Sequence, residues 1–178
     1  ELQTDFAALI QQDVSGNRLT IKSRNEKGFF SDDPTPRIIL QVPDISELEL
    51  NSASTATIKN FQSQALQMNI SGANKCDFTI DVKNLDIEIN GAAKVDLGGE
   101  AENLNLEING ASKIEEKRLE VINADVRLAG ASKAEIWVIE SLKADVAGAS
   151  SLKYKGLPSI ESEVSGFSSI KPITSTKK

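Results

Sequence analysis

Four lysines recur along this chain at nearly constant spacing: Lys75, Lys94, Lys113 and Lys133, separated by 19, 19 and 20 residues. Two places after each lysine stands an acid: Asp77, Asp96, Glu115 and Glu135. Such a series could present a repetitive charged surface to a glycan or a surface protein. It equally describes a solvated face that keeps a sheet from pairing with its neighbours. Exposed ion pairs contribute only ~0–1 kcal/mol and need no ligand to explain them. A second set comprises Asp86, Glu88, Asn105, Glu107, Asp125 and Asp145. Its carboxylates are of the kind that serve as paired general acid and base, or as calcium ligands, on carbohydrate-active β-helices. They too fall in repeating columns, without a local cluster that breaks the period.

What the chain lacks narrows the chemistry. There is no histidine in 178 residues. That removes the commonest general base, the commonest metal ligand and every Ser-His or Cys-His nucleophile. The single cysteine, Cys76, excludes an internal disulfide framework. Its parity between Asn74 and Phe78 is inward, as for a buried, inert thiol. Aromatic residues are 4% of the chain. Sugar sites usually want exposed aromatics, and Trp137 has outward parity. The net charge of −6 argues against a nucleic-acid partner, which would call for a basic stripe. No apolar run approaches the ~20 residues of a membrane helix, so no transmembrane segment is expected. Glu1 does not open a charged-then-apolar leader, so the chain reads as cytoplasmic or as a processed form. No catalytic residue, cofactor or metal is expected.

The residues that position these charges are strands. From Leu85 to Leu97 every second residue is apolar or small: Leu85, Ile87, Ile89, Gly91, Ala93, Val95, Leu97. Period-two alternation is a β-strand with one buried face. The stretch recurs, and its glycines fall at Gly72, Gly91, Gly110, Gly130, Gly148 and Gly166, every 18 to 20 residues, with Ser52 in the same place one repeat earlier. A period near 20 with two strand-like pieces per repeat suggests a solenoid. The rival is a hairpin at Asn90-Gly91. In a two-residue hairpin Ile87 would share a face with Lys94 and Leu85 with Asp96, which would bury charges. A three-residue turn preserves parity, so an antiparallel β-meander remains the alternative.

In a parallel coil equivalent residues stack ~4.8 Å apart. The inward column before the corner is Leu50, Ile70, Ile89, Ile108, Leu128, Val146, Val164. Each such side chain stabilises by roughly 1.5–3 kcal/mol when fully buried. Two places after the glycine stand Ser54, Asn74, Ala93, Ser112, Ser132, Ser150 and Ser168, small and often hydroxylated, suited to bonding nearby backbone at a tight corner. Outward alanines follow each glycine until Phe167 replaces them. Phe167 and Tyr154 read as features of a closing coil.

The first 45 residues do not follow the repeat. Asp5–Ile10 reads as a short helical turn or an irregular lead-in. Ser15-Gly16-Asn17 signals a hairpin between Ile10–Val14 and Arg18–Lys22. Asn25–Pro36 reads as a loop and Arg37–Val42 as a strand stopped by Pro43. The expected organisation is one domain over 1–178, with an irregular lead-in of hairpin and loop over 1–45 and solenoid repeats over 46–178.

The motifs Ile89-Asn-Gly-Ala-Ala-Lys94, Ile108-Asn-Gly-Ala-Ser-Lys113, Leu128-Ala-Gly-Ala-Ser-Lys133 and Val146-Ala-Gly-Ala-Ser-Ser151 resemble the bacterial head GIN domain family, labelled putative auto-transporter adhesin. Tyr154-Lys-Gly-Leu-Pro158 and Val164-Ser-Gly-Phe-Ser168 resemble that family's last coils. The resemblance runs from about residue 45 to the end, with an echo in Gly16–Ile21. It implies an all-β, right-handed parallel β-helix and a Bacteroidetes-like source. It also implies a place in the cell envelope (outer-membrane-anchored, periplasmic or surface), after removal of a signal peptide. It brings no catalytic residues. Family members usually carry further strands before the part matching Asp5–Ile21, so the resemblance implies a first segment that this chain lacks.

The function expected is a non-catalytic surface or envelope binding module, with a glycan or a surface protein as partner. A polysaccharide-acting enzyme on the same fold, and a passive structural or sensory envelope protein, are the alternatives. Open solenoid edges invite association. The final coil has Pro158, Phe167, Pro172 and a tail ending Lys177-Lys178, whereas the start has no such device. Any homo-oligomer is therefore expected to form through the N-terminal strands.

Overall fold

The computed structural model describes residues 10–23 and 38–173, and of residues 116–118 it describes the backbone alone. The expected turn at residues 5–9, the loop at 25–36 and the tail after 173 lie outside them. The chain divides into two compact units, Glu1–Pro43 and Asp44–Lys178.

In the first unit, β1 (Ile10–Ser15) and β2 (Arg18–Ser23) pair antiparallel, with Ser15 opposite Arg18. Gly16, at φ +60°, supplies the left-handed first position of the two-residue turn that the sequence signals. Of the strand expected at Arg37–Val42, the described residues Ile38–Val42 form none. Ile38–Val42 has no ladder partner, and Ile39 and Leu40 stand 66% and 54% exposed. An apolar run becomes a strand only where a neighbour takes up its N–H and C=O groups, and none of the described residues does so here.

The second unit is a parallel β-solenoid of about six turns. Its strands are β3 (Glu47–Leu50), β4 (Thr55–Gly72), β5 (Lys75–Gly91), β6 (Lys94–Gly110), β7 (Lys113–Gly130), β8 (Lys133–Val146), β9 (Ser151–Lys155), β10 (Ser159–Val164) and β11 (Ser169–Pro172). Every pairing among them is parallel. Leu85–Ile89 lies beside Leu104–Ile108 and Gly91 beside Gly110. The antiparallel meander is thereby excluded. The ladder between β6 and β7 breaks at the glycine, at the irregularity around Gly99, and between Ala101 and Asn103. A coil of about 19 residues must turn within its own length, and these breaks accommodate the turns.

Alternation decides what goes inside. Ile70, Ile89, Ile108, Leu128 and Val146 are all buried, as are Phe78, Leu97, Ile114 and Ile136 nearer the start of their strands. The column loosens at its ends: Leu50 is half-buried and Val164 is 50% exposed. The end residues that pack on the core are Leu48, Leu50, Ala56, Ile58 and Phe61 at one end and Tyr154 and Ile170 at the other. Phe167 does not close the coil; it stands 96% exposed on a corner.

The corners are stitched from coil to coil. Ser112 Oγ accepts from Ala93 N at 2.9 Å and donates to the Gly91 carbonyl at 3.0 Å. Ser132 Oγ accepts from Ser112 N at 3.4 Å and donates to the Gly110 carbonyl at 3.0 Å. Ser150 repeats the arrangement with Ser132 N and the Gly130 carbonyl. These bonds span 18 to 22 residues, so each hydroxyl satisfies the coil before its own. Only Ser132 also makes a local bond, to the Ala129 carbonyl.

Candidate functional site

Stacking in register turns the lysine spacing into a column. Lys75 pairs with Lys94, Lys94 with Lys113, and Lys113 with Lys133. Asp77, Asp96 and Glu115 stack beside them. Past Ile114 and Ala134 the ladder is interrupted, and Glu135 is paired onward with Lys153. Like charges one coil apart repel, and the carboxylates offset this diagonally. Glu115 bridges two coils: its carboxylate meets Lys94 Nζ at 2.7 Å and also bonds Lys113 Nζ. Lys153 Nζ lies 3.2 Å from Glu135. The two ammonium groups, Lys113 first and then Lys94, hold the Glu115 carboxyl down to about 2. All these side chains are substantially solvated, with Lys94 and Lys113 half exposed.

The second candidate set is spread over two columns. Asp86, Asn105, Asp125 and Lys143 form one column, and Glu88, Glu107, Arg127 and Asp145 the next. An amide or a cation interrupts each row of acids. Among the described residues no three His, Cys, Asp or Glu side chains converge as a metal site. Cys76 lies in the core, and desolvation pushes its thiol up to about 11. Trp137 stands outward, 36% exposed.

One arrangement lies outside the charged rows and repeat motifs legible in the sequence. Asn84, Asn103, Asn123 and Ser141 form a column at a coil corner. Asn103 Nδ2 donates to Asn84 Oδ1 at 3.0 Å, Asn123 Nδ2 to Asn103 Oδ1 at 3.3 Å, and Ser141 Oγ to Asn123 Oδ1 at 2.6 Å. Two places on, Asn105 Nδ2 donates to Asp86 Oδ1 at 3.1 Å, and Arg127 reaches Asn105 Oδ1 at 3.5 Å and Asp125 at 3.1 Å. The signal was present: Asn84, Asn103 and Asn123 keep the glycine spacing of 19 and 20. Outward polar residues look alike in a sequence, however, whether solvated or bonded to one another. These columns line an open trough of about 560 Å³. A second open trough, about 670 Å³, is lined by Asp81, Glu100, Glu102 and Glu120 with Lys83 among them.

Comparison with known proteins fits this architecture. The pattern of the family described as "Putative auto-transporter adhesin, head GIN domain" matches residues 1–158. The match takes in the lead-in and stops before the last coil, whereas the sequence motifs placed the resemblance from about residue 45 to the end. A crystal structure of a putative adhesin from Bacteroides fragilis superposes with a TM-score of 0.79 at 24% identity, covering 95% of this chain and 78% of that one. A putative lipid binding protein from Parabacteroides distasonis gives 0.63 at 16% identity, with 97% and 82% covered. A putative adhesin from Parabacteroides merdae gives 0.66 at 14%, with 97% and 81% covered. At these identities the likeness is one of fold. The comparison with curated proteins gave no match. With the pattern matched over 158 of its 178 residues, this chain belongs to the head GIN domain family of putative auto-transporter adhesins.

Proposed function

We propose that this chain is a non-catalytic binding module of the bacterial cell envelope or surface, contacting a glycan or surface protein through the face that carries Lys75, Lys94, Lys113 and Lys133 with Asp77, Asp96, Glu115 and Glu135. The observation that carries this is the in-register lysine column, with Glu115 held between Lys94 and Lys113. A rigid ladder repeats one charge pattern every coil, about 4.8 Å apart, which suits a polymeric or lattice-like partner. The adhesin naming of the family and of two of the superposed structures supports the adhesion role and the envelope location.

The test is a glycan-array screen, with incubation of the protein with polysaccharides and with lipid vesicles, the last because one neighbour is described as lipid binding. A surface polymer should be retained without release of reducing ends. Replacing Lys94, Lys113 and Lys133 by Glu should weaken that retention at least tenfold. Chain cleavage would establish the enzyme instead. Retention unaffected by the triple replacement would move the contact off this face. No binding and no cleavage would leave a passive structural or sensory role.

A further inference from the structure

We propose that the trough formed by the Asn84–Asn103–Asn123–Ser141 column and its neighbour Asn105 binds an uncharged glycan chain running along the solenoid axis. The proposal rests on the reading of the chain as a binding module but places a contact on a different face from the lysine column.

Three observations converge. The first is valence. A carboxamide offers two N–H donors and an oxygen with two lone pairs. Asn103 spends one donor on Asn84 and one lone pair on Asn123, and Asn123 spends one donor on Asn103 and one lone pair on Ser141. Asn105 is held in the same way, between Asp86 and Arg127. Each amide is thus fixed by two bonds and keeps one N–H and one lone pair, the donor-and-acceptor complement of a sugar hydroxyl. Because the neighbours already hold these side chains, a ligand meets groups whose ordering cost is largely met before it arrives.

The second is charge. The ionised side chains lining the trough are Asp86, Asp125, Arg127 and Lys143, two of each sign. This balance favours neither a polyanion nor a polycation, unlike the lysine column on one face and the acidic trough on another. The third is size and repeat. The volume of about 560 Å³ lies in the range of small-molecule sites. The columns repeat once per coil, so a chain of repeating units meets the same groups more than once.

The test uses neutral cello-, manno- and galacto-oligosaccharides, with oligouronates and chitosan oligomers as charged counterparts. Binding is followed by titration calorimetry and by the side-chain amide resonances of the asparagines. A neutral oligosaccharide should bind and shift the signals of Asn103, Asn105 and Asn123. Asn103→Leu with Asn105→Leu should weaken it at least tenfold. Arg127→Gln, an exposed change, should weaken it several-fold and covers the case in which the double variant does not fold. Lys94→Glu with Lys113→Glu separates the two faces: a loss as large as that of the Asn pair would place the neutral ligand on the lysine face and overturn the proposal. The proposal is overturned if no neutral oligosaccharide binds, if a charged one shifts the same amides more strongly, or if the Asn variants melt earlier yet bind as before.

Discussion

A methyl carbon placed on Gly110 would lie 2.2 Å from the carbonyl oxygen of Gly91, one coil earlier. That oxygen already accepts from Ala111 N at 2.9 Å and from Ser112 Oγ at 3.0 Å. The corner therefore has no space for a side chain, and Gly110 at φ +141° holds a backbone conformation that other residues rarely adopt. Gly110→Val should destabilise by roughly 3 kcal/mol or more, from strain and two disturbed bonds. Ala111→Ser, on the exposed place beside it, should change stability by less than ~0.5 kcal/mol. An unchanged denaturation midpoint for Gly110→Val would remove the close-approach account of the corner.

Ser132 is fully buried, and its hydroxyl takes up the Ser112 amide N–H. Ser132→Ala leaves that donor without its acceptor and should cost roughly 1–3 kcal/mol. Amide hydrogen exchange provides the local check: the Ser112 N–H should exchange faster, whereas Ala93 N–H, bonded to Ser112 Oγ, should keep its protection.

Glu115 carries a pH signature. Its carboxyl is depressed to about 2 by Lys113 and Lys94, so the folded state favours the ionised form. A depressed acid contributes stability that is present above its unfolded value, about 4.3, and lost as pH falls through the folded value. The melting difference between the wild type and Glu115→Gln should therefore be constant near neutral pH and close between about pH 4.5 and 2. It should also shrink in high salt, since the group is solvated. A difference that widened on acidification would contradict the ion-pair origin.

Cys76 should behave as a core side chain. Buried, with its thiol raised to about 11 by desolvation, it holds almost no thiolate at neutral pH. A thiol reagent should label it only as fast as the coils open, and immediately in denaturant. Labelling of the native protein at the rate of a free peptide thiol would show that the core is accessible there.

The end of the solenoid separates packing from position. Phe167 stands 96% exposed, so Phe167→Ser should change stability by less than ~0.5 kcal/mol. Leu128, 2% exposed in mid-solenoid, should cost about 2–5 kcal/mol on replacement by Ala. Urea denaturation of the two variants compares them directly.

Much of this architecture is local in origin and was legible from residue order. Alternation places Leu85, Ile87 and Ile89 on one face because successive side chains of a strand point opposite ways. Parity through Asn90-Gly91 rules out a two-residue hairpin because charges would be buried. The 18-to-20-residue glycine spacing sets the coil, and with it the columns Lys75–Lys133 and Ile70–Val146. What residue order could not supply is which side-chain atoms bond from one coil to the next, since that depends on exact register across 18 to 22 residues and on irregularities such as the one between Ile114 and Glu120. Ser112 therefore bonds mainly to the coil before it. Lys94 reaches diagonally to Glu115, and Asn84, Asn103 and Asn123 join into one chain. Ile38–Val42 reads as a strand by composition and fails to be one, because a strand exists only with a partner for its backbone. Phe167 reads as a cap and stands in solvent, because its outward parity survives to the last coil and the core there is met by Tyr154 and Ile170 instead.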